Sequence, residues 1–266
     1  MAISEAARRN HEQLFPGHVS TLATTDPELV EYFDNFAFDE VVHHGTLDVG
    51  IRLIVQLAAL IAGQAVREYR VMAGAALTVG VTPVQIKEIV YQAVPYVGMG
   101  KVFDFLHATN EVFTERGIEL PLPGQSTTTP EDRLAKGRHV QGEIVGHDAV
   151  DAMYANAPAD LAHIQRYLSG NCFGDHLTRT GLDLPTRELV TFSFLISMGG
   201  CDEQVKGHVR GNRNVGNDRA RLIEVVTQLL PFIGYPRSLN AIAAINEITP
   251  PTTAEPSAEP VKDEQS

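Results

Sequence analysis

The chain of 266 residues is short of several residue types, and each shortage excludes a class of protein. It has no tryptophan and two cysteines, Cys172 and Cys201, which cannot supply the disulfide framework of a small secreted domain. Basic residues are also scarce: 21 Lys and Arg stand against 33 Asp and Glu, a net charge of −12. Without a basic stripe to neutralise phosphates, we expect no nucleic-acid partner. The cysteine content makes the cytoplasm the expected location.

Long apolar runs are missing as well. No segment has the roughly 20 consecutive apolar residues that a membrane-spanning helix needs, so we expect no membrane partner. The start of the chain lacks the apolar core of a signal peptide, and export is therefore not expected. Alternation of period two is not sustained anywhere, which predicts no strands.

Helical patterns fill most of the chain instead. The segment 47–64 is apolar almost all round, as a helix buried in a bundle would be. Thr82 and Pro83 form a typical helix start, an N-cap followed by proline at the first helical position. Similar patterns run to residue 116 and resume at residue 147.

An internal repeat determines the predicted architecture. When the chain is shifted by 136 residues, Val79–Gly98 lies over Val215–Gly234 without a gap, and seven aligned residues are identical. The sequence therefore predicts an all-α fold of two tandem helical units. We place them at 1–116 and 147–249, joined by a linker or surface strap over 117–146. The Pro-rich, acidic end, 250–266, is predicted to be a disordered tail.

The two copies differ in the residues that carry chemistry. The second copy contains a carboxylate, a thiol and an imidazole, at Glu188, Cys201 and His208, which are the groups that proton transfer and thiol chemistry use. A helical unit does not need them, since the first copy has other residues at the equivalent positions: Arg52, Ala65 and Met72.

The spacing of these residues predicts that they converge. Two glycines before Cys201 should end one helix and place this cysteine at the start of the next, where the helix N-terminus would lower its pKa. Cys201, Gln204 and His208 then lie at i, i+3 and i+7, on one face. Glu188 can reach them from the preceding antiparallel helix. A small core cysteine, a structural histidine and a favourable helix-dipole charge are the alternative interpretations.

Other candidates surround this hairpin. Arg179 lies on the loop leading into it and is a candidate to bind a substrate carboxylate, with a solvated loop arginine as the alternative. Cys172 is expected to be a core residue. The histidines at 43–44 and 176 lack the i, i+4 pairing of a helical metal site, so no metal is predicted.

The segment 184–217, with its GHVRG motif, and the following QLLPFIGYP resemble the carboxymuconolactone decarboxylase family, which includes alkylhydroperoxidase D-type proteins. The resemblance covers residues 160–248 and, through the repeat, 29–116. It implies an all-α fold of alkylhydroperoxidase D-like units that assemble into oligomeric rings. For a tandem chain it implies a homo-oligomer, a trimer that holds six units.

The resemblance also implies roles for the residues of the second copy. In the peroxidase branch a glutamate precedes a Cys-x-x-Cys-x-x-x-His motif, which Glu188, Cys201 and His208 match, but Gln204 replaces the second cysteine. In the lactone decarboxylase branch the cysteines are dispensable. The expectation is a cofactor-free decarboxylase of aromatic-acid breakdown, with catalytic Glu188, Cys201 and His208 and with Arg179 and Gln204 contacting a small carboxylated substrate. A single-cysteine peroxidase and a non-catalytic ligand-binding oligomer are the alternatives.

Overall fold

The structure, a computed structural model, describes residues 2–251. Within this range the chain is helical and has no strand, as the sequence predicts, and no helix in it is long and apolar enough to cross a membrane. Nearly all of the predicted disordered tail lies outside the described residues. The α-helices are α1 (Glu5–Leu14), α2 (Leu22–Thr25), α3 (Pro27–Asn35), α4 (Val41–His43), α5 (Val49–Ala62), α6 (Val66–Thr78), α7 (Pro83–Val97), α8 (Met99–Glu115), α9 (Arg133–Val145), α10 (His147–Ala155), α11 (Ala162–Tyr167), α12 (Leu184–Met198), α13 (Asp202–Asn214), α14 (Arg219–Ile233) and α15 (Tyr235–Ile248).

The predicted repeat is visible in these helix bounds. The shift of 136 residues carries α6 onto α13 and α7 onto α14 residue for residue, and α5 onto α12 to within one residue. Each copy also has a π-helical segment before its central helix, at Phe36–Glu40 and at Leu168–Leu177. The two tandem helical units are therefore confirmed.

The helices begin where the local sequence predicts. The side chain of Thr82 accepts a hydrogen bond from the backbone N–H of Gln85. The side-chain oxygen of Gln85 in turn accepts a hydrogen bond from the backbone N–H of Thr82. Asp183 starts α12 in a similar way, because its carboxylate accepts from the N–H of Thr186 at 2.9 Å. Gly199, at φ 70°, ends α12, and Cys201 is the N-cap of α13.

The two units share their cores. Helix α12 of the second unit packs against α5 and α7 of the first. Val190 and Phe194 of α12 belong to the first unit's apolar core, whereas Val55 and Ala59 of α5 belong to the second unit's core. Neither copy therefore buries its central helix without the other.

Equivalent glutamates hold the two units together from either side. Glu88 of α7 binds the guanidinium groups of Arg179 and Arg187, both from the second unit. Glu224 of α14 accepts a hydrogen bond from the backbone N–H of Thr46, in the first unit, at 2.7 Å. The same position of the repeat thus contacts the other copy in both directions.

The prediction of a linker over 117–146 is wrong for its second half, where α9 forms and packs against the π-helical segment Leu168–Leu177. The glycines of α9 mark close packing rather than a loop. A Cβ at Gly137 would lie 1.9 Å from the carbonyl oxygen of Ser169, and one at Gly142 would lie 2.2 Å from the ring of His147. The bounds assigned to the two units stay a prediction.

Candidate active site

The side chains of Glu188 and His208 meet between α12 and α13. Glu188 is fully buried, and its Oε2 lies 2.8 Å from Nδ1 of His208. The ionised form of this carboxylate can only accept a hydrogen bond; Nδ1 is then the donor, and Nε2 is the ring nitrogen left for another partner. The His208 side chain is 17% exposed, which gives it access from outside. The structure therefore brings the predicted acid and imidazole together.

Two neighbouring residues of α13 fix this geometry. Gly211 leaves room for the carboxylate, since a Cβ there would lie 2.8 Å from Oε2 of Glu188 and 2.9 Å from the Ile144 side chain. The amide of Asn212 donates to the main-chain oxygens of Glu188 at 3.1 Å and His208 at 2.8 Å. The pair is thus held by the backbone of both helices as well as by its own hydrogen bond.

The first unit contributes Tyr96 to this site. The Tyr96 ring stacks on Phe194 and meets the His208 ring edge to face, each with centroids 6.0 Å apart. Burial, followed by the nearby Cys172 and Glu188, raises the pKa of Tyr96 well above its usual value. Burial likewise raises the pKa of Cys172 to about 12, so this cysteine is a protonated thiol beside the tyrosine hydroxyl.

Sequence reasoning missed both Tyr96 and the place of Cys172. The signal for Tyr96 is present in the repeat, because the shift of 136 residues puts Phe232, which has no hydroxyl, at its position. Finding it would have required knowing that α7 of one copy packs against α12 of the other. No sequence pattern near Cys172 indicates that its thiol faces a residue of the first unit.

Cys201 occupies the predicted helix start but not the predicted electrostatic state. Its thiol donates to the carbonyl oxygen of Leu195, with sulfur and oxygen 3.2 Å apart, rather than to His208. Burial and then the adjacent Asp202 raise the pKa of Cys201, so the prediction of a lowered pKa is wrong. Partial burial, and then the Asp202 carboxylate in the first turn of α13, oppose the effect of the helix N-terminus on this pKa.

Of the two residues predicted to contact substrate, Arg179 is bound to a carboxylate other than Glu188, and Gln204 lies one turn before His208 on α13. The guanidinium of Arg179 binds Glu88 through two nitrogens, at 2.9 and 3.0 Å, and lies over the Tyr91 ring. This arginine is therefore already paired with Glu88, a carboxylate of α7. Gln204 is exposed to solvent on the first turn of α13, and its role stays a prediction.

In the part of the chain that the structure describes, no group of three or more His, Cys, Asp or Glu side chains is arranged to hold a metal ion. The chemistry available at the Glu188–His208 pair is proton transfer through the imidazole, with the buried carboxylate as its partner. One carboxylate oxygen, Oε1 of Glu188, has no hydrogen-bond partner among residues 2–251.

Comparison with known proteins places the chain in a family. The model of the carboxymuconolactone decarboxylase family matches residues 27–111 and 162–247, once in each unit. The 4-carboxymuconolactone decarboxylase of Acinetobacter baylyi is 29% identical over 118 residues, which cover 44% of this chain and 87% of that protein. The aligned part of this chain is thus about as long as one of its units. The chain belongs to the carboxymuconolactone decarboxylase family, as a member with two tandem units.

Proposed function

We propose that the protein is a cofactor-free decarboxylase that acts on a small carboxylated lactone or a related acid of aromatic-compound breakdown. The observation that carries this proposal is the fully buried Glu188 carboxylate 2.8 Å from Nδ1 of the partly exposed His208. The family and the similar decarboxylase support the reaction class.

The proposed reaction uses His208 as a proton donor. The substrate carboxylate leaves as CO2, and the electrons of the broken C–C bond pass into the conjugated lactone to form a dienolate. The dienolate carbon then takes the proton from Nε2 of the charged imidazolium, which becomes neutral. A proton from solvent restores His208, so one proton is consumed for each CO2 released.

The surroundings of His208 favour this role. The carboxylate of Glu188 orients the ring and stabilises the imidazolium before the proton is given up. Tyr96 packs its ring against the imidazole and limits its rotation. Tyr96 is a positioning residue in this scheme, because it acts through His208 and contributes no proton of its own.

The test is CO2 release from 4-carboxymuconolactone by the purified chain and three variants. We expect His208→Ala to lower kcat by about 10²–10⁴-fold, the usual contribution of a general acid. Glu188→Gln should also lower it strongly, because the amide keeps the shape but not the charge. Cys201→Ser should retain most of the activity. Thermal melting of each variant controls for loss of fold.

The opposite pattern would contradict the proposal. Full turnover by His208→Ala together with an inactive Cys201→Ser would show that the thiol does the chemistry. A peroxide-consumption assay on the same preparation, with an external thiol as reductant, would then identify a single-cysteine peroxidase. Inactivity of all forms in both assays, with the fold intact, would leave a ligand-binding protein.

We also propose a homo-oligomer, a trimer of tandem chains in the cytoplasm. The oligomer is supported by apolar side chains that are exposed together on and beside α11. The location is supported by the two cysteines, which are both free thiols. Light scattering after gel filtration should give the mass of three chains, and a monomeric mass would refute it. The exposed apolar residues are Leu161, Ile164, Tyr167 and Leu168.

A further inference from the structure

A cavity of about 640 Å³ lies on the first unit and is not lined by Glu188 or His208. Its walls are α7, α8, the segment Leu120–Gln125 and the side chain of Arg179. This volume is within the range of about 300–1,000 Å³ that is usual for small-molecule sites. Much of the lining is apolar or aromatic, from Val84, Tyr91, Phe103, Leu106 and Leu122.

The outer wall of the cavity is fixed to the second unit. The backbone N–H of Thr180 donates to the carbonyl oxygen of Gln125 at 3.0 Å, and the Thr127 hydroxyl donates to the carbonyl oxygen of Thr178 at 2.9 Å. Gly181, at φ 93°, lets this loop approach α7, because a Cβ there would lie 2.8 Å from the Val84 side chain. The cavity is therefore formed before any ligand binds.

The charges around the cavity do not balance. Glu88 is the sole acid among the described residues that line it, and this one carboxylate pairs with both Arg179 and Arg187. Lys87 and Arg179 are the two cations of the lining, so the lining carries a surplus of one positive charge. Arg187, which is behind the lining and bound to Glu88, adds one more.

Lys87 is the cation without a counter-ion. Its ammonium donates to the side-chain oxygen of Asn110 and lies 5.3 Å from the centroid of the Phe113 ring. Among residues 2–251 no carboxylate lies within ion-pair distance of it. Burial lowers the pKa of Lys87, as expected for an ammonium taken out of water without an opposite charge. A partly buried cation without an opposite charge destabilises the folded protein, and an anion bound in the cavity would offset this cost.

The repeat shows that the fold does not need these residues. Four cavity-lining positions in the first unit carry a cation, two aromatic rings and an imidazole: Lys87, Tyr91, Phe103 and His107. The equivalent positions of the second unit carry smaller or uncharged side chains: Ile223, Thr227, Leu239 and Ala243. The first copy, which lacks the Glu188–His208 pair, therefore has charged and aromatic residues of its own at this cavity.

We propose that this cavity binds a small organic carboxylate with an apolar or aromatic body. Lys87 takes the carboxylate, with Arg179 adding to the positive field, and Tyr91 and Phe103 contact the body of the ligand. This binding site does not depend on the decarboxylase proposal, because the residues that carry it are separate from Glu188 and His208.

The test is calorimetric titration of the full chain with benzoate, and with benzamide as its uncharged isostere. We expect benzoate to bind at least ten-fold more tightly than benzamide. Lys87→Met, which keeps the length of the side chain and removes its charge, should weaken benzoate binding at least ten-fold. Lys101→Met, on the exposed surface of α8, is the matched control and should leave it unchanged, as should His208→Ala.

Each other outcome would overturn the proposal. Equal binding of benzoate and benzamide would remove the role of the charge. Benzoate binding that survives Lys87→Met but is lost in His208→Ala would place the ligand at the other site, and no binding at millimolar benzoate would exclude this ligand class. If Lys87→Met does not fold, Phe103→Ala replaces it, since this side chain is 50% exposed, and unchanged binding in it would count against the site.

Discussion

The two copies of the repeat have the same helices and divide the polar residues between them. The second copy buries Glu188 against His208, whereas the first copy has Arg52 and Met72 at those positions. Met72 is packed in the first unit's apolar core at 1% exposure, so the same place in the fold holds a core side chain in one copy and a hydrogen-bonded imidazole in the other. The difference separates what the fold requires from what was added to it.

The comparison also shows that the copies are not independent. Tyr96, on the first copy, borders the imidazole of the second, and α12 lies in the cores of both. A residue of one copy can therefore alter the surroundings of the imidazole in the other. Three predictions test this division of roles, beginning with the largest expected effect.

Met72→Ala should unfold the protein more easily without changing its chemistry. Removing this buried side chain leaves a cavity in the first core and should cost about 2–5 kcal/mol of unfolding free energy, measured by urea denaturation. The activity per folded molecule should be unchanged. Val71→Ala, at a position 47% exposed on the same helix, is the control and should cost under about 0.5 kcal/mol. A stable but inactive Met72→Ala would break the comparison.

Tyr96→Phe copies Phe232 of the second unit and should reduce activity at a site in the other copy. The Tyr96 hydroxyl is buried close to Cys172 and Thr191 and anchors the ring beside His208 through these polar neighbours. Loss of such a polar contact costs about 1 kcal/mol, so we expect kcat to fall about five-fold with little change in KM. Tyr69→Phe is the matched control: its hydroxyl lies 2.7 Å from Thr109 in the first core, and its loss should affect stability alone. Equal kcat values in wild type and Tyr96→Phe would show that the first copy does not act on the site.

Alkylation of Cys201 should be slow at neutral pH. A raised pKa keeps the thiol protonated over a wider range, so the thiolate fraction at pH 8 is smaller than in a free thiol. In a Cys172→Ser background, the iodoacetamide rate should be several-fold below that of glutathione and should still rise above pH 9.0, the ordinary thiol value. A rate that is already constant at pH 8 would mean a lowered pKa and would restore the peroxidase alternative.

Most of the fold could be predicted because its signals are local or periodic. The repeat, the cap at Thr82 and the break before Cys201 depend on residues near one another in the sequence. Helix α9 was missed because glycine occurs both in loops and where two segments pack closely. The close packing of Gly137 on Ser169 depends on a segment more than thirty residues away, so the local sequence does not indicate it.

The part of the site that could be predicted also depends on residues near one another in the sequence. Glu188 and His208 lie on neighbouring helices of one hairpin, so spacing alone brings them together. The partner of Arg179 is Glu88, in the other copy, and no spacing within either copy indicates it. Burial and neighbouring charge, which raise the pKa of Cys201, are likewise products of the folded structure.

The reciprocal contacts of Glu88 and Glu224 have a consequence for the history of the chain. Each glutamate binds a segment of the opposite copy, which is how two identical subunits would bind each other before their genes were joined. We infer that the chain descends from a paired single-unit protein by duplication and fusion. Fusion let each copy change where the other did not, and the shared cores mean that the copy without the Glu188–His208 pair cannot be deleted without exposing the core of the other.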